Sequence, residues 1–180
     1  GVQSVQIPGR GSDHPKIMFV GQVPGREEDE RNKCFVSPAG QLLTQAIEAY
    51  NLKPCYITNA ARCAPPGDRA PTADELKACR PKVIIPLGRY ATRWLMGDVD
   101  MEDVRSLPWL LPATDKLAFL GSDTVVFPVI HPAAGMHNPE MSPYVVTGFQ
   151  ALAQFLDGKR EARRLYDDPL EGQEQYEEIT

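Results

Sequence analysis

Four short apolar runs punctuate the chain: Lys16–Val20, Cys55–Thr58, Lys82–Leu87 and Val125–Ile130. Each is rich in Ile, Val or aromatic residues and closes on Gly, Asn or His-Pro. Continuous apolar runs of this length suit strands buried on both faces. Between them the spacing turns helical. In Ala39–Tyr50 the apolar positions are Ala39, Leu42, Leu43, Ala46, Ile47 and Tyr50, one stripe of a helix. Thr72-Ala-Asp-Glu75 reads as a capping box and predicts a helix from about Ala73 to Arg80. A helix over Arg89–Met96 follows the third run, with Gly97 placed to end it. Tyr144–Leu156 is periodic again, extended by the charged Lys159–Arg164, whereas Gly97–Asp123, with Pro108 and Pro112, reads as irregular.

Strands alternating with helices predict an α/β fold, a three-layer αβα arrangement around a central, mostly parallel four-stranded sheet. Ligands of such sheets bind beyond the carboxyl ends of the strands. That rule selects Gly21–Gly25, Asn59–Arg69, Gly88–Arg89 and His131–Pro139, where the unusual polar residues of this sequence collect. Gly21-Gln-Val-Pro-Gly25 makes a tight loop able to bring backbone N–H groups close to a ligand, and serves equally as a plain turn. A metal-dependent phosphoesterase would need paired carboxylates or His ligands at strand ends. The chain has three His, and no Asp or Glu directly follows a strand run.

Bulk properties narrow the class further. The 180 residues suit one domain with a full core. No stretch approaches the roughly 18 apolar residues of a membrane span, and the N-terminus lacks a secretory pattern, so a cytoplasmic or nucleoid-associated protein is expected. The net charge is −5, but from Asp167 onward there are six acidic residues and no Lys or Arg. The chain therefore reads as a domain over 1–166 and an acidic, solvated tail over 167–180, the tail being a candidate contact for a protein partner. Without the tail, 19 basic face 18 acidic residues, so charge neither demands nor excludes nucleic acid. The four cysteines, Cys34, Cys55, Cys63 and Cys79, form no CxxC, and disulfides are not expected in a cytosolic protein.

Taken in order, five segments resemble the uracil-DNA glycosylase superfamily, and most closely its iron–sulphur branch, family 4. They are Gly21–Gly25, Phe35-Val-Ser-Pro-Ala-Gly-Gln-Leu-Leu43, Thr58-Asn59, Arg62-Cys-Ala-Pro-Pro-Gly-Asp-Arg69 and His131-Pro132-Ala133. The resemblance runs from about Lys16 to Pro139; the ordered set is specific, although each segment alone is not. It implies hydrolysis of the N-glycosidic bond of uracil flipped out of DNA, in base excision repair, because a base inside a duplex cannot be reached.

The resemblance also assigns roles. Phe35 would stack on the uracil ring, and Asn59 would read O4 and N3–H with its carboxamide. His131 would donate to O2 and stabilise the departing anion. Gly21, Val23 and Gly25 would lie against base and sugar. Gln22 stands in the catalytic loop position. Arg62, Arg69 and Arg89 would contact phosphates, and Met136 and His137, in a loop over Ala133–Pro139, would enter the stack. From the residues alone, Phe35 is also readable as core, Asn59 as a turn residue and His131 as a turn cap.

Three departures bear on chemistry. The family's loop usually carries Glu where this chain has Gln22; a carboxamide orients a water but cannot accept its proton. Glu27, Glu28 and Asp29 lie nearby. The alternative is therefore a catalytically weak or inactive member that binds DNA or protein. The family's [4Fe-4S] cluster needs four thiolates. Cys63 and Cys79, with fifteen residues between them, match its second pair, but no upstream CxxC is present, so a cluster requires further cysteine ligands upstream. Finally, Cys79-Arg80 meets Pro81 and the third strand at once, a shorter connection than the family's.

Overall fold

The structure, a computed structural model, describes residues 7–22, 26–59, 80–112 and 123–164. Its strands are β1 (Arg10–Gly11), β2 (Ile17–Gly21), β3 (Cys55–Asn59), β4 (Val83–Pro86), β5 (Trp109–Leu111), β6 (Thr124–Val126) and β7 (Arg163–Arg164). Its helices are α1 (Arg26–Arg31), α2 (Pro38–Ala49), α3 (Arg89–Met96), α4 (Met101–Val104), α5 (Ala133–His137) and α6 (Ser142–Leu156), with a 3₁₀ turn at Pro139–Met141.

Among the described residues the sheet runs β1-β3-β2-β4-β6-β5-β7. The four apolar runs form its centre, β3-β2-β4-β6, all parallel. The expected four-stranded sheet is thus a core to which three short strands are added. Two of the added contacts are antiparallel, β1 on β3 and β5 on β6. β1 and β7 have two residues each, too short for any periodic signal.

Alternation along β2 and β4 sends side chains to two cores. Ile17, Phe19, Val83 and Ile85 join Leu43 and Ile47 of α2 and Phe149 and Leu152 of α6. Met18, Val20 and Ile84 join Ala91, Leu95 and Met96 of α3 and Met101 and Val104 of α4. Helices therefore cover both faces, which makes the αβα sandwich. The most deeply buried large side chains, Phe19, Phe127 and Phe149, lie in the first core.

Other sequence expectations need correction. The last apolar run is regular strand only to Val126; beyond it Phe127 and Val129 still donate to the Ile84 and Pro86 carbonyls, but Pro86 has no N–H to return to this run, and a single parallel bridge, Leu87 to Val129, completes the pairing. The stretch over 97–123 is not wholly irregular. It contains α4, capped by Asp100 accepting from the Glu102 N–H at 3.2 Å, and β5. The charged run after Leu156 does not extend the helix; Asp157 caps it and the chain returns as β7. Residues 133–139 form α5 and the start of the 3₁₀ turn rather than a loop. The helix expected at Ala73–Arg80 lies outside the described residues except for Arg80, which is not helical, and the acidic tail lies wholly outside. No described helix is long and apolar enough to cross a membrane.

The strand order places β3 on one side of β2 and β4 on the other. Connections leaving β2 and β4 thus diverge to opposite sides, which opens a crevice at their carboxyl ends. Gly21-Gln22 and Leu87-Gly88 stand at that point.

Candidate active site

Parallel register sets Gly21 directly beside Asn59. The Asn59 side chain is buried, with 5% exposure, at the end of a strand that leads to the surface. Gly21 has to be Gly: a Cβ there would lie 2.5 Å from Asn59 Oδ1 and 2.6 Å from Phe35 Cζ. The bare strand end lets a carboxamide and an aromatic ring converge.

Phe35 is held in an uncommon backbone conformation, φ 55°, which only surrounding contacts can maintain. Arg10 of β1 supplies two, its Nε donating to the Cys34 carbonyl at 2.9 Å and its Nη2 to the Phe35 carbonyl at 3.2 Å. The Cys34 thiol donates to the Ile57 carbonyl at 3.4 Å. From the other side Gly40 presses its backbone against that of Phe35, leaving no room for a Cβ. Ser37 caps α2 by accepting from the Gly40 N–H, and Pro38 opens the helix.

His131 follows the last central strand. Its ring lies 6.4 Å from that of Phe35, at 22° between planes. Its Nδ1 accepts the Ala133 backbone N–H at 3.0 Å. A neutral imidazole that accepts at one nitrogen carries its proton on the other, so Nε2–H is the donor. Burial lowers the His131 pKa, and the nearby Glu28 carboxylate only partly opposes that shift. The neutral tautomer is the resting form at neutral pH.

Phe35, Asn59 and His131 line one cavity of about 290 Å³, and Arg26, Glu27, Glu28 and Ser37 are also in its wall; of the two carboxylates Glu28 is the buried one. Glu28 is buried, with 5% exposure. Burial pushes its carboxyl up, but hydrogen bonds from the Ser37 hydroxyl and from backbone N–H groups outweigh that and hold it below the ordinary carboxylate range. One of these is the Ser37 N–H, at 3.1 Å from Oε1. A fixed anion therefore lies in the cavity beside neutral donors.

Gln22 is exposed and lines a different cavity, of about 590 Å³, on the side of His131 toward α3. Arg89 lines that second cavity too. Met136, 49% exposed, and His137, also exposed, project from α5; Met136 borders a separate apolar groove between α2 and α6. Val23, Gly25, Arg62, Cys63, Arg69 and Cys79 lie outside the described residues. The structure thus unites Gly21, Phe35, Asn59 and His131 and sets Gln22 and Arg89 next door. Sequence reasoning left Glu28 among three neighbouring acids and missed Arg10 and Ser37. An S-P-x-G cap after an aromatic was the one available signal for Ser37.

Cys34 and Cys55 do not suit a cluster. Both are buried; Cys34 is a hydrogen-bond donor, and burial raises the Cys55 pKa. Among the described residues no three His, Cys, Asp or Glu side chains stand where a metal ion could be held.

Comparison with known proteins places the chain in a family. The family model described as the uracil DNA glycosylase superfamily matches residues 8–156. A type-4 uracil-DNA glycosylase of Sulfurisphaera tokodaii is 33% identical over 162 residues, 82% of this chain and 73% of the relative. One of Saccharolobus solfataricus is 34% identical over 167 residues, 85% and 77% of the two chains. One of Archaeoglobus fulgidus is 32% identical over 168 residues, 86% and 83%.

Proposed function

Because this chain belongs to the uracil DNA glycosylase superfamily, we propose that it excises uracil from DNA in base excision repair, hydrolysing the N-glycosidic bond of a nucleotide turned out of the strand. The observation that carries this reading is the convergence of Phe35, Asn59 and the Nε2–H tautomer of His131 on one cavity of about 290 Å³.

A planar base enters against the Phe35 ring, a face that every base can stack on. The Asn59 carboxamide offers an acceptor to uracil N3–H and a donor to O4, a pattern cytosine inverts. As the bond from C1′ to N1 breaks, its electron pair moves into the ring and charge develops on O2. A preformed donor at O2 is then worth more than in the ground state, and His131 supplies it without first losing a proton. The sugar becomes cationic in the same step. Glu28, held anionic, is the carboxylate that favours that cation, a task Gln22 cannot perform. A water adds its oxygen to C1′, its proton passes to solvent, and the departing uracil anion is reprotonated. Gln22, neutral and exposed next to His131, suits orienting that water.

The test is alkaline cleavage of a labelled single-stranded oligonucleotide carrying one uracil, with Asn59→Ala beside the parent. Cleavage by the parent is expected, reduced by roughly 5- to 150-fold in the variant, since a lost buried hydrogen bond costs on the order of 1–3 kcal/mol. Uracil binding without cleavage by either protein would replace the enzyme with a binding module.

A further inference from the structure

The groove beside the base cavity has no place in the chemistry so far beyond Gln22 and a phosphate contact at Arg89. It measures about 590 Å³, twice the base cavity, and shares His131 with it. It lies at the carboxyl ends of β2 and β4, where the sheet order reverses and α/β folds open their ligand crevice. Gly88 forms the junction. Its φ is +87°, and a Cβ there would meet His131 Cβ at 3.2 Å, so the groove reaches His131 with no side chain intervening.

One face of α3 lines the groove. Ala91, Thr92, Leu95 and Met96 turn into the core, whereas Tyr90 stays 44% exposed and faces the groove with Arg89, Arg93 and Trp94. Arg93 is half-exposed; its Nε donates to the Val99 carbonyl at 3.1 Å, which fixes the guanidinium, and its ion pair with Asp98 is long, 3.8 Å. An exposed aromatic ring flanked by guanidinium groups is the chemistry that holds a nucleic-acid strand: bases stack on the ring and phosphates meet the cations.

We propose that this groove seats the nucleotide adjacent to the one turned out, its base stacked on Tyr90 and its phosphates facing Arg89 and Arg93. The inference rests on the glycosylase reading. It adds that the enzyme holds an unstacked neighbour on one side of the target, whatever that neighbour's base, and so handles single-stranded DNA well.

The experiment uses single-stranded oligonucleotides with one uracil and an abasic spacer as either its 5′ or its 3′ neighbour. Affinity is read by fluorescence anisotropy and kcat/KM by cleavage. For the parent, removing the base on one side is expected to weaken both roughly tenfold, and removal on the other side to leave them unchanged. Tyr90→Ala should show the same loss on the intact strand and no further loss with the spacer, while Tyr90→Phe, which keeps the ring, should behave as the parent. Parental indifference to both spacers, or full neighbour sensitivity in Tyr90→Ala, overturns the groove assignment while excision of uracil continues. Tyr90-dependent binding without any excision leaves the groove standing and removes the enzymatic reading instead.

Discussion

The donor role proposed for His131 rests on two features: the Ala133 N–H at Nδ1 fixes the tautomer, and burial keeps the ring neutral. A lowered histidine pKa has a definite sign in stability. The unfolded chain takes up the proton first, so the contribution is complete above the free value of 6.5 and is lost as pH falls through the folded value. Thermal unfolding monitored between pH 8 and 5 should show Tm falling only below about 6.5, and His131→Gln should flatten that part of the curve. The acid limb of kcat/KM belongs in the same window, because protonated Nδ1 can no longer accept from Ala133; a limb centred above 6.5 would contradict the neutral-donor assignment. On the proposed mechanism Glu28 and Gln22 divide the work of one carboxylate. Glu28→Gln keeps the size and part of the Ser37 contact but removes the charge, and is expected to lower kcat by about 100-fold or more with KM little changed. Gln22→Glu should raise kcat by less than that, since the pocket already holds its anion. A large gain from Gln22→Glu with no loss from Glu28→Gln would reverse the two roles.

At the scale of elements, the end of β2 makes the site possible. β2 pairs with β3 and β4, so its position is set by two ladders, and only a residue without Cβ at 21 admits Asn59 and Phe35 together. Gly21→Ala is expected to fold with a stability loss of about 1–3 kcal/mol, typical of overpacking, and to lose nearly all excision through a raised KM; chemical denaturation beside kinetics separates the two effects. These central strands were legible because each is a continuous apolar run, and α3 was legible because a stripe of apolar residues ends at Gly97. β1 was not, although its Arg10 anchors the Phe35 loop. Two residues carry no periodicity, and their pairing with Ile57 and Tyr56 is set by the partner strand. α5 and α4 escaped notice for a related reason: four or five residues are too few for a pattern; α4 is held by its Asp100 cap and the burial of Met101 and Val104, and α5 starts where the Ala133 N–H meets His131 Nδ1.

For the whole molecule, net charge is a poor guide to affinity. The chain carries −5, yet Arg26 lines one of the two adjoining cavities and Arg89 and Arg93 line the other. Binding to a uracil-bearing single strand should therefore weaken with salt, and Arg89→Gln should reduce the slope of log Kd against log salt by about 0.7, the value for one single-strand phosphate contact. An unchanged slope would move that phosphate elsewhere. The amino-acid sequence by itself determined the layered α/β architecture, through four apolar runs separated by helical spacing, and the family resemblance, through the ordered Gly21 loop, Phe35, Asn59 and His131. Only the tertiary structure decided that Glu28 rather than Gln22 shares the base cavity, which nitrogen of His131 donates, and that a second groove opens beside it. Those properties depend on residues far apart in the chain meeting in one place: β1 against the Phe35 loop, Ser37 against Glu28, and Gly88 against His131.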